Sequence, residues 1–261
     1  MKKTKLSVAI ATYNEAENIT SCLQAVSWAD EIILVDGQST DDTIKLAKKF
    51  KNVKVVSTTN KPMFHLNKQM AIDKCTGDWI LQLDADEIVS PDLKKEICQV
   101  LAKKPTDIPQ NGFWINRKNF FLTRFLIKGG QYPDPVARFY KKGQGRLPCR
   151  SVHEKTQINP PVGQLKNDLL HYADRSLKHY LAKNHRYTDL MAEELKQQHL
   201  KITLKSKLTY LFLKPATLFF QIYFRHLGFF DGRPGLIFAY YSALSPRTAF
   251  VKYQKMSDSY N

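Results

Sequence analysis

Along the first ninety residues, near-continuous apolar runs alternate with stretches whose apolar positions recur at helical spacing. "KLSVAIATY", "EIILVD", "NVKVVST" and "DWILQLD" read as strands, apolar throughout as strands of a parallel sheet are when helices cover both faces. Between them, Ile19, Leu23 and Val26 mark a helix within 15–27, and further helices are expected over 41–50 and 64–75. Strands alternating with helices predict a doubly wound, mostly parallel α/β domain. From residue 91 the alternation loosens. Pro91 and Asp92 open another helix, and the aromatic, Arg-rich stretch that follows predicts irregular strands and a hairpin. A later helix carries Leu177, Tyr180, Leu181, Tyr187 and Leu190 on one expected face.

The last third is strongly apolar and aromatic: "LTYLFLKPATLFFQIYFRHLGFFDGRPGLIFAYYSAL". Lys214, Pro215, Gln221, Arg225 and His226 interrupt it, so it lacks the ~18 apolar residues in a row that mark a spanning helix. Two helices are expected, broken at Gly228, Gly232, Pro234 and Gly235 and lying along a membrane surface. The alternative is that they pack back on the α/β core.

Charge sharpens this picture. Lys and Arg number 40 against 24 Asp and Glu, a formal net charge of +16. Such a surplus suits phosphate-bearing partners: nucleic acid, anionic lipid or phosphorylated small molecules. Nucleic acid is disfavoured, because the aromatics gather in the apolar tail instead of interleaving with Lys and Arg. The cysteines at 22, 75, 98 and 149 show no CxxC spacing, which argues against a zinc site or a redox pair. Cys22 and Cys98 are expected as small buried hydrophobes in helices, in a reducing compartment. The basic N-terminus has only a short apolar run and reads as a first strand, not a secretion signal.

Against that basic background, three polar clusters fall at the carboxyl ends of strands, where open α/β sheets collect ligands. They are "TYNEAEN", "DGQSTDDT" and "DADE". Asn14 or Ser39 could cap a helix, but three clusters on one edge argue for a polar ligand. Neither GxGxxG nor GxxxxGK[ST] is present. Asp84 and Asp86, one residue apart after a strand, suit a hard divalent ion such as Mg²⁺ or Mn²⁺ that clamps a diphosphate. The competing reading is an acidic turn before the Pro91 helix.

Thr12, Tyr13, Asn14 and Glu15, then Asp36, Gly37, Ser39, Asp41 and Thr43, then Asp84-Ala85-Asp86 resemble the successive motifs of glycosyltransferase family 2, whose fold is the GT-A type. Gly37 stands where a second Asp is often found. Tyr132-Pro133-Asp134, Val152-His153-Glu154 and two stretches of the C-terminal third resemble the bacterial lipopolysaccharide-core glucosyltransferases within that family. The resemblance implies that Thr12, Asn14 and Glu15 line a nucleotide pocket and that Asp36 contacts uracil or ribose. It implies that Asp84 approaches ribose and diphosphate while Asp86 holds the metal. It also implies an inverting transfer, which needs a general base. Glu154 is the first candidate and Asp134 the second. His171 is a candidate second metal ligand, and Arg138 and Lys183 could neutralise phosphate.

The expected layout is a catalytic domain over 1–175, donor-binding over 1–90 and acceptor-side over 91–175, with a helical, apolar extension over 176–261. The expected activity is transfer of a hexose, glucose from UDP-glucose, to a glycolipid acceptor at the cytoplasmic membrane face. Other glycolipid, capsule or polyprenol-phosphate acceptors stay open, as does a non-catalytic role.

Overall fold

The computed structural model of the chain describes residues 3–61, 63–149 and 155–258. Strand β1 (Leu6–Thr12) is its spine, buried at every position but Ala11. After it come α1 (Ile19–Ala25), β2 (Glu31–Asp36), α2 (Thr43–Ala47), β3 (Val53–Ser57), α3 (His65–Asp73) and β4 (Trp79–Asp84). Then follow β5 (Glu87–Val89), α4 (Pro91–Ala102), β6 (Gly112–Phe121), β7 (Arg124–Leu126) and β8 (Asp134–Lys141). Short strands β9 (Gly145–Arg146), β10 (Gln157–Ile158) and β11 (Val162–Gln164) lead to β12 (Leu169–Asp174). The helices α5 (Leu177–Gln197), α6 (Leu204–Leu208), α7 (Lys214–Phe220) and α8 (Gly232–Asp258) complete the chain.

The main sheet has the order β3-β2-β1-β4-β8-β6-β12-β5. Its first four strands are parallel, while β8 runs antiparallel to both β4 and β6. The two-residue side-chain period sorts the apolar strands onto two faces. Leu6, Val8 and Ile10 join Ile32, Leu34, Leu81 and Leu83 in one core layer. Ala9, Ile33, Val35 and Ile80 build the other, against Ala71 and Ile72 of α3. Trp79, Phe113 and Phe139 stack in the first layer, with Trp79 and Phe139 centroids 4.6 Å apart. Ser90 caps α4 with its hydroxyl, Pro91 takes the first turn, and Leu93, Ile97 and Val100 face inward. Cys98 lies one residue round from that stripe and is exposed, contrary to its expected burial. Cys22 is buried as expected.

The chain divides into two compact units, Met1–Arg117 with Asp134–His171, and Lys118–Pro133 with Tyr172–Asn261. In the second, α5 turns Thr188, Ala192 and Leu195 inward, and Ala192 and Leu195 meet Phe250 and Tyr253 of α8. Tyr187 and Leu190, expected on the packed face, are exposed. The inward stripe instead runs through Thr188 and Ala192, small enough for α8 to approach closely. Residues 204–225 are one continuous helical run in which α6 and α7 alternate with π-helical turns over Thr209–Leu213 and Gln221–Arg225. The first π turn ends two residues before Pro215, which has no N–H for the helical ladder, so the widened turn accommodates a residue that breaks regular α-helix. A 3₁₀ turn over Gly228–Asp231 leads into α8, at the expected break. There a Cβ on Gly235 would lie 2.1 Å from the Gly228 carbonyl oxygen, so only glycine fits. Among the described residues, no helix is long and apolar enough to cross a membrane.

Candidate active site

Two of the polar clusters are tied together by the residues that the sequence singles out. Asp36, at the end of β2, is wholly buried (0% exposed). Its Oδ1 accepts from Thr12 Oγ1 at 3.1 Å and from Ser39 Oγ at 2.5 Å, and its Oδ2 from Ser39 N at 2.8 Å. Asn14 adopts a left-handed φ of 55°, which Asn tolerates better than most residues. Its backbone N donates to Ser39 Oγ at 2.9 Å and its Oδ1 accepts from Thr40 N at 2.8 Å. Glu15 N donates to Thr43 Oγ1, and Ala16 N to Asp41. Neither Asn14 nor Ser39 caps a helix; they lash the β1 and β2 loops together. Gly37 is pressed against the Asn60 backbone, where a Cβ would come within 3.1 Å of Asn60 Cα. An aspartate at position 37 would need that backbone to shift.

The third cluster is built around buried Arg138 and half-buried Arg117. Asp84 Oδ2 receives Arg138 Nη2 at 2.6 Å, and Lys68 of α3 pairs with Asp84 Oδ1. Glu87, fully buried, accepts from Arg138 at 3.0 Å, from Arg117 at 3.2 Å and from the Asp84 backbone N–H at 2.9 Å. Arg117 in turn holds Asp134, with Nη2 to Oδ2 at 2.8 Å. Acid and base thus alternate from Lys68 to Asp134. Burial disfavours the charged form of Asp84, but Arg138 and Lys68 overcome it and hold its carboxyl well below the usual carboxylate range. Burial likewise opposes the charge on Arg138, and the adjoining Asp84 and Glu87 outweigh it, raising its proton affinity.

Asp86 and His171 meet because β12 pairs antiparallel with β5, placing His171 opposite Glu87 one residue beyond Asp86. Asp86 Oδ2 and His171 Nε2 are 3.2 Å apart. Both line a cavity of about 270 Å³ with Thr12, Glu15, Lys68 and Asp84. Tyr13 and Phe64, each 45% exposed, stand on its wall with Asn60 and Asn67. Burial raises the Glu15 carboxyl above its ordinary value, and the nearby charges of Asp86, Asp84 and Asp41 raise it further, against a hydrogen bond from Asn18.

Asp86 and His171 could hold part of the shell of a divalent ion. Among the described residues, no three His, Cys, Asp or Glu side chains are grouped to hold a metal alone. Hard cations at phosphate sites commonly take one or two carboxylates and draw their other ligands from substrate and water. Asp86 with His171 is such a partial set, and its mixed oxygen and nitrogen donors suit Mn²⁺ as well as Mg²⁺.

Of the residues picked out by sequence, Thr12, Glu15, Asp84, Asp86 and His171 line this cavity. Asn14 and Asp36 shape its loops from behind. Arg138 is buried in ion pairs with Asp84 and Glu87 and is not among the lining residues, so its charge is directed at carboxylates and not at the cavity. Asp134 is held by Arg117, away from the lining. Lys183 lies 3.8 Å from Asp174 in the second unit. Glu154 and His153 lie outside the described residues. Sequence reasoning missed Lys68, Phe64, Asn60 and Asn67, and also Glu87 as the hub of the arginines. No local signal separates Lys68 from the many other lysines; only the docking of α3 against β1 and β2 brings it to Asp84.

The description Glycosyl transferase family 2 matches residues 7–157, more than half of the chain. The chain belongs to this family. As a family 2 glycosyltransferase it is a transferase of GT-A fold, as its motifs implied. It is 25% identical over 258 residues to the lipopolysaccharide core biosynthesis glycosyltransferase LpsC of Rhizobium meliloti (strain 1021), covering 92% of this chain and 91% of that one. It is 29% identical over 254 residues to an uncharacterized glycosyltransferase of Rickettsia bellii (strain RML369-C), covering 90% and 83%. Among solved structures, the mannosyltransferase PcManGT from Pyrobaculum calidifontis, in complex with GDP-Man and Mn²⁺, superposes with a TM-score of 0.52 at 14% identity. That match covers 97% of this glycosyltransferase and 88% of the other chain. S. aureus TarS 1–349 with UDP-GlcNAc gives 0.51 at 16% identity, covering 98% and 91%. These two likenesses concern the fold.

Proposed function

We propose that this glycosyltransferase moves a hexose, glucose from UDP-glucose, onto a sugar hydroxyl of a lipid-linked acceptor of the lipopolysaccharide inner-core kind, with inversion. The observation that carries the reading is the cavity at the strand ends, lined by Asp86, His171 and Lys68 and by the exposed aromatics Tyr13 and Phe64. Carboxylate, imidazole and ammonium around one cavity suit a diphosphate with its cation, and Tyr13 or Phe64 suits a stacked nucleobase. The acceptor class rests on the end-to-end similarity to LpsC; the donor class rests on the nucleotide sugars bound by TarS and PcManGT.

In this reading Asp86 and His171 hold a Mg²⁺ or Mn²⁺ ion, which supplies positive charge to the departing diphosphate. Lys68 can leave Asp84, which keeps Arg138, and turn its ammonium to a phosphate oxygen. Thr12 and Glu15 border the nucleoside, and Asp36 fixes the loops that carry them. Glu154 or Asp134 receives the acceptor's proton, in a single displacement without a covalent intermediate. Asp134 already holds Arg117, which favours Glu154. The enzyme works at the cytoplasmic face of the membrane, where lipid-linked acceptors are made.

The test is turnover of a panel of nucleotide sugars by the purified chain, with Mn²⁺, Mg²⁺ or chelator. UDP-glucose should be hydrolysed slowly without acceptor and consumed faster with a lipid-linked core acceptor. Glu154→Gln should abolish transfer while leaving UDP binding within about twofold, since only a proton acceptor is lost. Full transfer by Glu154→Gln together with loss in Asp134→Asn would move the base to Asp134. Preference for another sugar or for polyprenol phosphate would replace the donor or acceptor named here.

A further inference from the structure

We infer that the helical run 204–225 is a docking surface for a bilayer rich in anionic phospholipid, held by its apolar row and flanking lysines. The inference adds a recognition surface to the peripheral location proposed above and rests on that location, but not on the donor or the chemistry.

Leu204, Leu208, Phe212, Ala216, Phe220 and Phe224 recur every fourth residue, and every one of them is exposed. Leu204 is 85% exposed. In a regular α-helix a step of four residues over-rotates by about 40°, so such a row would wind away from one side within three or four steps. The π turns at Thr209–Leu213 and Gln221–Arg225 turn less per residue and bring the row back. The opposite side is spoken for: Tyr210 and Leu211 pack on the core formed by Ala192, Leu195, Phe250 and Tyr253. The outward row is therefore not exposed through loose docking of the helix.

Charge selects the partner. Over 201–233 the basic residues are Lys201, Lys205, Lys207, Lys214, Arg225 and Arg233, and all are exposed. The one acid in that span, Asp231, is 1% exposed. Its carboxylate accepts from the backbone N–H groups of Ile127 and Lys128, at 3.2 and 2.9 Å. Within 201–233 the exposed charges flanking the apolar row are thus all positive; the neighbouring acid is Glu194 of α5, which lines a groove with Leu213 and Lys214. Two such faces would repel each other, which disfavours self-association, whereas a negatively charged lipid surface satisfies apolar row and basic flanks together. Among the described residues no helix is long and apolar enough to cross a membrane, and the apolar row with its basic flanks suits a helix lying along the surface.

The experiment is co-sedimentation of the full chain with phosphatidylcholine vesicles, with and without phosphatidylglycerol. Binding should require phosphatidylglycerol and weaken as salt rises. The triple variant K205Q/K207Q/K214Q should lose about 100-fold in affinity, since each basic residue near an anionic surface contributes about fivefold. Phe212→Ser and Phe220→Ser should each lose at least about tenfold by withholding a ring from the lipid. These side chains are exposed, so unchanged melting temperature and circular dichroism are expected and serve as folding controls. Equal binding by these folded variants, or no binding to either vesicle, overturns the inference. So does self-association in sedimentation velocity that Phe212→Ser abolishes, which would make the row a contact between copies. UDP-glucose binding measured on the same samples keeps the two readings apart: donor binding without vesicle binding defeats this inference alone, and the converse defeats the transfer reading alone.

Discussion

Glu87 takes two arginines and a backbone N–H with no solvent contact, so its loss leaves Arg138 and Arg117 short of a buried counter-charge. Removing one partner of a buried ion pair typically costs about 3–5 kcal/mol, and Glu87→Gln should lower unfolding stability in urea by roughly that amount. Lys68 differs, because it reaches the cavity. Lys68→Ala should raise the KM for the sugar donor by about tenfold or more, the worth of one hydrogen bond to a charged group, with little change in melting temperature. A lower melting temperature with unchanged KM would make Lys68 only an anchor for Asp84. At this scale the sequence was informative where an acid follows a strand and silent where a partner arrives from elsewhere. Asp84 and Asp86 could be read from their spacing. That Asp84 is bound by Lys68 and Arg138, and that Asp36 faces loops instead of the cavity, depends on tertiary neighbours that no local pattern encodes.

Elements carry the site through register. The pairing of β12 with β5 is what delivers His171 to Asp86, and β12 was not distinguishable from the helix-leading segment around it, since "LLHYAD" is short and mixed in polarity. Strands β1, β2 and β4, by contrast, were plain, because burial on both faces makes them near-continuously apolar, while β3 at the sheet's edge carries an exposed Lys54. The opposite edge of that sheet is pinned by Glu31 at the start of β2. Burial opposes ionisation of Glu31, but hydrogen bonds from Ser7, Thr76 and Lys54 prevail and bring its carboxyl from 4.5 down to about 2. A folded value below the unfolded one means that this stabilisation is complete above about pH 4.5 and is lost as pH falls through about 2. Glu31→Gln should therefore flatten the dependence of unfolding free energy on pH across that window. A slope identical to that of the native chain would contradict the assignment. In the helical third, the apolar character was legible but its partition was not: the face of α5 turned out to be Thr188, Ala192 and Leu195, the first two small side chains that hydropathy alone ranks below the exposed Tyr187 and Leu190 as core candidates.

For the whole molecule, a net charge of +16 and an acidic cavity are compatible because they serve different surfaces. Carboxylates gather at one sheet edge of the first unit, while lysines flank the exposed apolar row of the second. Family membership and fold follow from motifs at three strand ends. The donor and the metal are the parts of the proposal that those motifs imply and the cavity supports. Isothermal titration of UDP-glucose into the purified chain, with Mn²⁺ and then with chelator, tests that claim most directly. Saturable binding that needs the ion, and that Asp86→Ala weakens by about tenfold or more through loss of a charged ligand, is the predicted result. Absence of binding at millimolar nucleotide sugar with the ion present, or an Asp86→Ala titration that matches the native chain, would contradict it.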